Sequence, residues 1–121
     1  MHNFRKLQIW TEGMALARDI YQILDSMPNW ERYGLVSQLG RCAISVPSNI
    51  AEGSSRSSKK EFVHFLKIAL GSCFEIETQI ILACDLGYIV KTQGEDIIEK
   101  VILQQKRIVT FIKTLEQETR K

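Results

Sequence analysis

The strongest constraint in this sequence is an unbroken alternation of apolar steps in its second half. Phe62, Leu66, Ala69, Cys73, Ile76, Ile80, Ala83 and Gly87 follow one another by fours and threes. An α-helix turns once in about 3.6 residues, so this spacing returns all of these positions to one face. Both ends are marked. Ser58-Lys59-Lys60-Glu61 reads as a capping box, in which the serine oxygen takes an orphan amide and the glutamate reaches back to the serine amide. Gly87 is placed to close the helix through a left-handed C-terminal cap. The spacing predicts a helix over 58–87, about 45 Å long. One such apolar stripe cannot be buried alone, so the rest of the chain must supply partners of similar length.

Three further segments supply them. Over 7–27, Trp10, Met14, Ala17, Tyr21 and Leu24 step by fours and threes, with Ile20 and Ile23 widening the stripe and Pro28 ending it. Over 33–54, with a start between Glu31 and Leu35, the stripe is Leu35, Leu39, Cys42, Val46 and Ile50. Pro47 lies inside it, which predicts a kinked helix, because the periodicity continues to Ile50. Over 92–118, Thr92-Gln93-Gly94-Glu95 reads as a second capping box. The core positions there are Ile98, Val101, Gln105, Ile108, Ile112 and Leu115, with Gln105 fixing register or lying at the stripe's edge. No segment alternates with period two, and no Asn-Gly or Asp-Gly hairpin signal occurs. The expectation is an all-α chain, one antiparallel up-down four-helix bundle domain over 1–121.

Composition narrows the function classes. Two prolines and seven glycines in 121 residues leave no disordered or low-complexity tract. No apolar run approaches the roughly 18 residues of a membrane span, and Met1 to Trp10 lacks the apolar segment of a secretion signal. A cytoplasmic location without membrane contact follows as the default. Cys42, Cys73 and Cys84 are odd in number, lack C-x-x-C spacing and fall on or beside apolar stripes, as reduced core thiols do. A net charge of +2 permits an acidic partner without demanding one.

The central residues resemble a known family. Tyr33-Gly34-Leu35-Val36-Ser37-Gln38 is followed by Arg41-Cys42-Ala43-Ile44-Ser45-Val46-Pro47-Ser48-Asn49-Ile50-Ala51-Glu52-Gly53. Then comes Glu61-Phe62-Val63-His64-Phe65-Leu66-Lys67-Ile68-Ala69-Leu70-Gly71-Ser72, with Glu75 and Leu86-Gly87-Tyr88 beyond. Together these stretches resemble the four-helix-bundle family of 23S rRNA intervening-sequence proteins. That family is similar to the accessory variability protein of diversity-generating retroelements. The resemblance runs from Phe4-Arg5-Lys6-Leu7 and Trp10 over nearly the whole chain. It implies a bundle that assembles into a ring of five subunits, genes lying in intervening sequences of large-subunit rRNA genes, and no settled biochemical activity. For the retroelement relative it implies binding to nucleic acid and to a reverse transcriptase. Family members often carry two arginines where this chain has Gly40-Arg41, so one basic group is missing here.

Candidate sites lie in stripes. Arg41, Ser45, Asn49, Glu52 and Arg56 share one face of the second helix. They can form a groove in which the arginines meet phosphate, or a polar network tying the helix to the third helix or another subunit. The mixture of Glu52 with the arginines favours the network. On the fourth helix Lys100, Lys106, Arg107, Lys113, Arg120 and Lys121 occupy an arc opposite the apolar stripe. There they should face solvent and attract nucleic acid without sequence preference. As ordinary solubilising charge, the arc would follow the helix dipole behind Glu95, Asp96 and Glu99, and Glu116 and Glu118 dilute it. Lys59, Lys60, His64 and Lys67 extend a basic surface beside Arg56. Gly71-Ser72 inside the third helix predicts a close packing point for the second helix or a neighbouring subunit, since glycine there costs about 1 kcal/mol.

No reaction is legible. Glu52 and Glu75 could face each other, but without Glu-x-x-His motifs they do not make a di-metal site. No Cys-His-acid set, phosphate-cradling glycine loop or second histidine besides His2 accompanies His64. The expected function is therefore non-enzymatic, without metal or cofactor. It is a homo-oligomer, a pentamer by resemblance, that binds RNA or DNA, with RNA preferred, through repeated basic faces. The alternative is an assembly or adaptor module whose partner is a protein such as a reverse transcriptase-like enzyme.

Overall fold

The computed structural model describes residues 2–120, without the side chains of 119 and 120. Among the described residues the chain is all-α, with four long helices and no strand. Helix α1 spans Gln8–Leu24, α2 Leu35–Ser54, α3 Lys59–Asp85 and α4 Lys91–Arg120, with single-turn 3-10 helices at Phe4–Lys6 and Asn29–Glu31.

Helix α3 has 27 residues, about 40 Å; its C-terminal cap forms as the sequence predicts, and at its N-terminus the serine half of the expected capping box is made. Ser58 Oγ accepts from Glu61 N at 3.1 Å. At the other end Gly87 has φ +78, Tyr88 N donates to Ala83 O, and Gly87 N donates to Cys84 O. These two bonds make a Schellman cap, and the left-handed residue at its centre is cheapest as glycine. The stripe from Phe62 through Ala83 is buried throughout.

The other helices depart from expectation in detail. Helix α1 stops at Leu24, because Ser26 N and Ser26 Oγ both turn back to Ile23 O before Pro28 takes an extended conformation. Its innermost row is Ile9, Gly13, Leu16, Ile20 and Ile23, one position round from the expected Trp10–Leu24 row, and Tyr21 is 47% exposed. Helix α2 starts at Leu35, the later of the two expected limits, and continues across Pro47 as one helix, as the periodicity to Ile50 predicts. The second capping box is absent: α4 begins one residue upstream of Thr92, and Gly94 N donates to Val90 O. Ile97 is more deeply buried than Ile98 on α4.

Each helix packs on the ones before and after it, and α1 also meets α4 along the least extensive of the four seams. Register is set by specific pairs. Gly13 faces Val46 and Pro47, whereas Gly40 faces Tyr21 and Leu24. Ser45 meets Ser72, and Cys42 meets Gln79. Lys59 meets Glu118, and Gln105 meets Glu77. Gln105, the polar member of the α4 stripe, is buried and donates to Glu77 Oε1 at 2.7 Å. Its neighbour Gln104, on the row Ile97, Val101, Gln104 and Ile108, is buried toward α1 and donates to Ile9 O at 2.7 Å.

Candidate nucleic-acid interface

The basic arc of α4 is divided by its neighbours. Lys100 does not stand free in solvent: it reaches Asp19 on α1 at 2.8 Å and Asp96 one turn earlier at 3.1 Å. Hydrogen bonds to Asp19 and then Asp96 hold its ammonium above the usual 10.5. Arg107 is half-buried and ion-paired to Glu12 of α1. These two bases meet α1 at the α1–α4 seam: Lys100 is exposed but ion-paired, and Arg107 is only partly exposed. Lys106 and Lys113 are exposed. The side chain of Arg120 and all of Lys121 lie outside the described residues.

The basic group at the start of α3 divides in the same way. Arg56 binds Glu52 Oε1 at 2.6 Å, and its guanidinium lies 4.8 Å from the centroid of the Phe65 ring. Lys59 binds Glu118 at 2.8 Å. Both line a small cavity of about 120 Å³ with His2, Ser57, Ser58 and Phe62. His64 is exposed, edge-on to Phe65, and Lys60 and Lys67 are exposed.

What remains is a set of four lysines. Lys60 and Lys67 are two turns apart on α3, and Lys106 and Lys113 are two turns apart on α4. Lys59–Glu118 and Glu77–Gln105 bracket that stretch of the α3–α4 pair, so the four lie along one seam. Among the described residues none of the four has an ion-pair partner.

The polar stripe of α2 is drawn together with α3. Ser45 Oγ lies 2.7 Å from Ser72 Oγ, and Asn49 Nδ2 donates to both Ser45 Oγ and Ser45 O at 2.9 Å. Arg41 is exposed, and Gly40 beside it is buried against Tyr21, where an added Cβ would sit 3.4 Å from Oη. Glu75 and Glu52 are not brought together. Glu52 turns to Arg56, whereas Glu75 acts on the Cys42 thiol, whose pKa is raised by burial first and by this carboxylate second. Gly71 is exposed, and a Cβ there would meet nothing within 4 Å, so it is not a packing point against α2. Ser72, its neighbour, makes that contact.

The three thiols are free, with Cys42 and Cys73 buried and Cys84 half-buried. Burial alone pushes Cys73 up to about 12. Cys84 is raised by burial, then by Asp85 and Glu95. No group of three His, Cys, Asp or Glu side chains among the described residues could hold a metal ion. No described helix is long and apolar enough to cross a membrane. Sequence reasoning passed over several large apolar side chains left in water. Ile68, Phe74, Ile81 and Leu82 of α3 and Ile44 of α2 are exposed, and periodicity counts only the side that faces the core.

A crystal structure from Bacteroides thetaiotaomicron, of a protein with unknown function from the S23 ribosomal protein family, has the same fold. It superposes with a TM-score of 0.81 over 87% of this chain and 98% of that one, at 24% identity. No curated protein matches the chain. The family description "23S rRNA-intervening sequence protein" matches residues 5–110, which include the α2 polar stripe and all four open lysines except Lys113. The chain belongs to the family of 23S rRNA-intervening sequence proteins.

Proposed function

We propose that this protein is a non-enzymatic cytoplasmic homo-oligomer that binds RNA through lysine faces repeated by its assembly. In this proposal the antiparallel bundle, bent at Pro47, forms a ring of five copies. The observation that carries nucleic-acid binding is the set of Lys60, Lys67, Lys106 and Lys113, exposed along one seam without carboxylate partners among the described residues. Such charges release condensed counterions from a polyanion, and a ring multiplies individually weak contacts. Assembly is supported by the exposed Phe74, at 53%, with Ile68, Leu82 and Ile44, and by the open space beside Gly71.

Fluorescence anisotropy with a structured RNA at several salt concentrations tests the first part. Affinity should fall as salt rises, and Lys67→Glu with Lys113→Glu should flatten the logarithmic salt slope by about two. Absent binding at low salt, or binding indifferent to salt, overturns it. Light scattering tests the ring: a mass of one chain refutes it, and Gly71→Leu should lower the mass of an intact assembly. The exposed apolar side chains of α3 and α2 also favour a second reading, an adaptor whose partner is a protein such as a reverse transcriptase-like enzyme. Partner capture that survives nuclease treatment, without RNA binding, would select that reading.

A further inference from the structure

The turn between α1 and α2 exposes two aromatic rings that the lysine seam does not use. Trp30 is 78% exposed and Tyr33 87%, although tryptophan is usually well buried in a folded chain. The Trp30 ring is held in place. Its Nε1–H donates to Tyr88 Oη at 3.3 Å, and Tyr88 Oη donates to Glu31 Oε2 at 3.0 Å. Glu31 Oε1 in turn accepts from Leu35 N, at the start of α2, at 3.1 Å. Gly34 leaves room for that carboxylate: a Cβ there would lie 2.7 Å from Oε1. Trp30 and Tyr88 meet edge to face at 6.5 Å. A cation flanks one ring: the Arg32 guanidinium sits 5.6 Å from the Tyr33 centroid. Lys91, three residues past Tyr88 at the start of α4, is exposed and only loosely paired, with Glu95 at 3.9 Å.

We propose that Trp30 and Tyr33 form a stacking platform for the unpaired bases of single-stranded nucleic acid, with Arg32 and Lys91 meeting its phosphates. The proposal shares only its ligand class with the function proposed above. It concerns a different end of the fold and different chemistry. A base needs one open ring face and a nearby cation, and every base has a π-face, so such a platform tolerates any sequence. Asn29, Glu31, Arg32 and Gln38 near the two rings are polar, although Leu86 and Val90 on either side of Tyr88 are apolar and exposed. An aromatic anchor for a protein partner would sit in a desolvated apolar pocket, whereas Trp30 and Tyr33 stand open to water. Glu31 opposes a polyanion, but both its oxygens are already committed to Tyr88 and Leu35.

The chain has two tryptophans, so Trp10→Phe leaves Trp30 as the single emitter. In that variant a short oligouridylate should quench the emission, and a blunt RNA hairpin of equal length, closed by a non-nucleotide linker so that every base is paired, should not. With labelled oligouridylate, Trp30→Ala and Tyr33→Ala should each weaken binding by about 5- to 150-fold, and Trp30→Phe should weaken it less. Hairpin affinity should stay unchanged in all three. Lys67→Glu with Lys113→Glu should weaken hairpin binding while Trp30 quenching persists. Failure of the hairpin arm alone removes the lysine seam and leaves the platform. Absent quenching, unchanged oligouridylate affinity in the alanine variants, or equal losses on hairpin and single strand overturns the platform.

Discussion

Gly94→Ala should change sign with the residue that faces it. An ideal Cβ at Gly94 would lie 2.2 Å from Cys84 Sγ, whereas carbon and sulfur in contact need well over 3 Å. Either the thiol swings away or the start of α4 slides off the end of α3. Forcing a methyl group into such a contact costs about 1–3 kcal/mol. Alanine in a helix recovers up to about 1 kcal/mol over glycine, so the net loss is up to about 2 kcal/mol. For a chain of 121 residues that lowers the melting temperature by up to roughly 5–10 °C. In a Cys84→Ala background the sulfur is gone, and the nearest remaining atoms are Ile80 Cγ2 at 3.8 Å and the residue-84 Cβ at 3.9 Å, which is ordinary contact. Only the propensity gain then remains, and Gly94→Ala should stabilise by up to about 1 kcal/mol. Urea titrations of the four proteins at one protein concentration read the difference, provided the slope stays constant. If Gly94→Ala shifts the midpoint equally in both backgrounds, the close approach of α4 to Cys84 is refuted.

Three more outcomes follow from packing and charge. Gly53→Ala should cost more, about 3 kcal/mol, because its Cβ would lie 2.8 Å from Phe62 Cδ1, 2.9 Å from Phe65 Cβ and 3.2 Å from the backbone oxygen of Phe62. A backbone atom cannot rotate aside, so α2 and α3 must part; a loss below that of Gly94→Ala in chemical denaturation would contradict this. Ser45→Ala should cost about 1–3 kcal/mol by leaving the buried Ser72 hydroxyl without its partner, and adding Ser72→Ala should recover part of the loss. Additive losses in that double-mutant cycle would deny the coupling. Cys84 should react first with a thiol reagent near neutral pH, and Cys73 only on unfolding. Because Cys73 is raised from 9.0 to about 12, the unfolded chain loses that proton first. The protection is complete below pH 9.0 and lost as pH rises toward 12, and Cys73→Ala should flatten that part of the urea-midpoint curve.

Legibility in the sequence varied with how many faces each helix buries. The α3 stripe could be read residue by residue because it repeats over 27 residues between two chemically marked ends. Helix α1 is apolar over a wider arc, and both Trp10–Leu24 and Ile9–Ile23 satisfy the helical steps. Gly13 settles the choice by admitting Val46, Pro47 and Gln104, and glycine adds nothing to a hydrophobic pattern. Thr92–Glu95 has the residues of a capping box, yet the helix starts earlier and carries Gly94 against Cys84. The Ser45–Asn49 half of the polar stripe was visible as spacing. Its partner across α3, Ser72, was visible only as an oddity beside Gly71. Buried Gln104 sits on the row Ile97, Val101, Gln104 and Ile108, one position round from the row read through Ile98 and Gln105, and nothing in the sequence marks its partner, a backbone carbonyl on a distant helix.

The charge pattern shows why a helical wheel was insufficient for the candidate interface. Lys100 and Arg107 are seven residues apart on α4, and Glu12 and Asp19 are seven apart on α1. The two ladders pair in reverse order, Lys100 with Asp19 and Arg107 with Glu12, along the least extensive seam. Lys106 and Lys113 repeat the same spacing one position away from Arg107, and no carboxylate ladder answers them. A wheel places all four bases on the polar side of α4 and cannot say which flank meets α1. The consequence is experimental as well as structural. Removing Lys100 or Arg107 strips partners from Asp19 and Glu12 as well as removing a cation, so lost RNA binding there would not separate ligand contact from a change at the α1–α4 seam. Lys106 and Lys113 are where affinity can change while stability does not. A variant of that pair that binds RNA normally would therefore weigh more against the lysine seam than any number of inactive Arg107 variants would weigh for it.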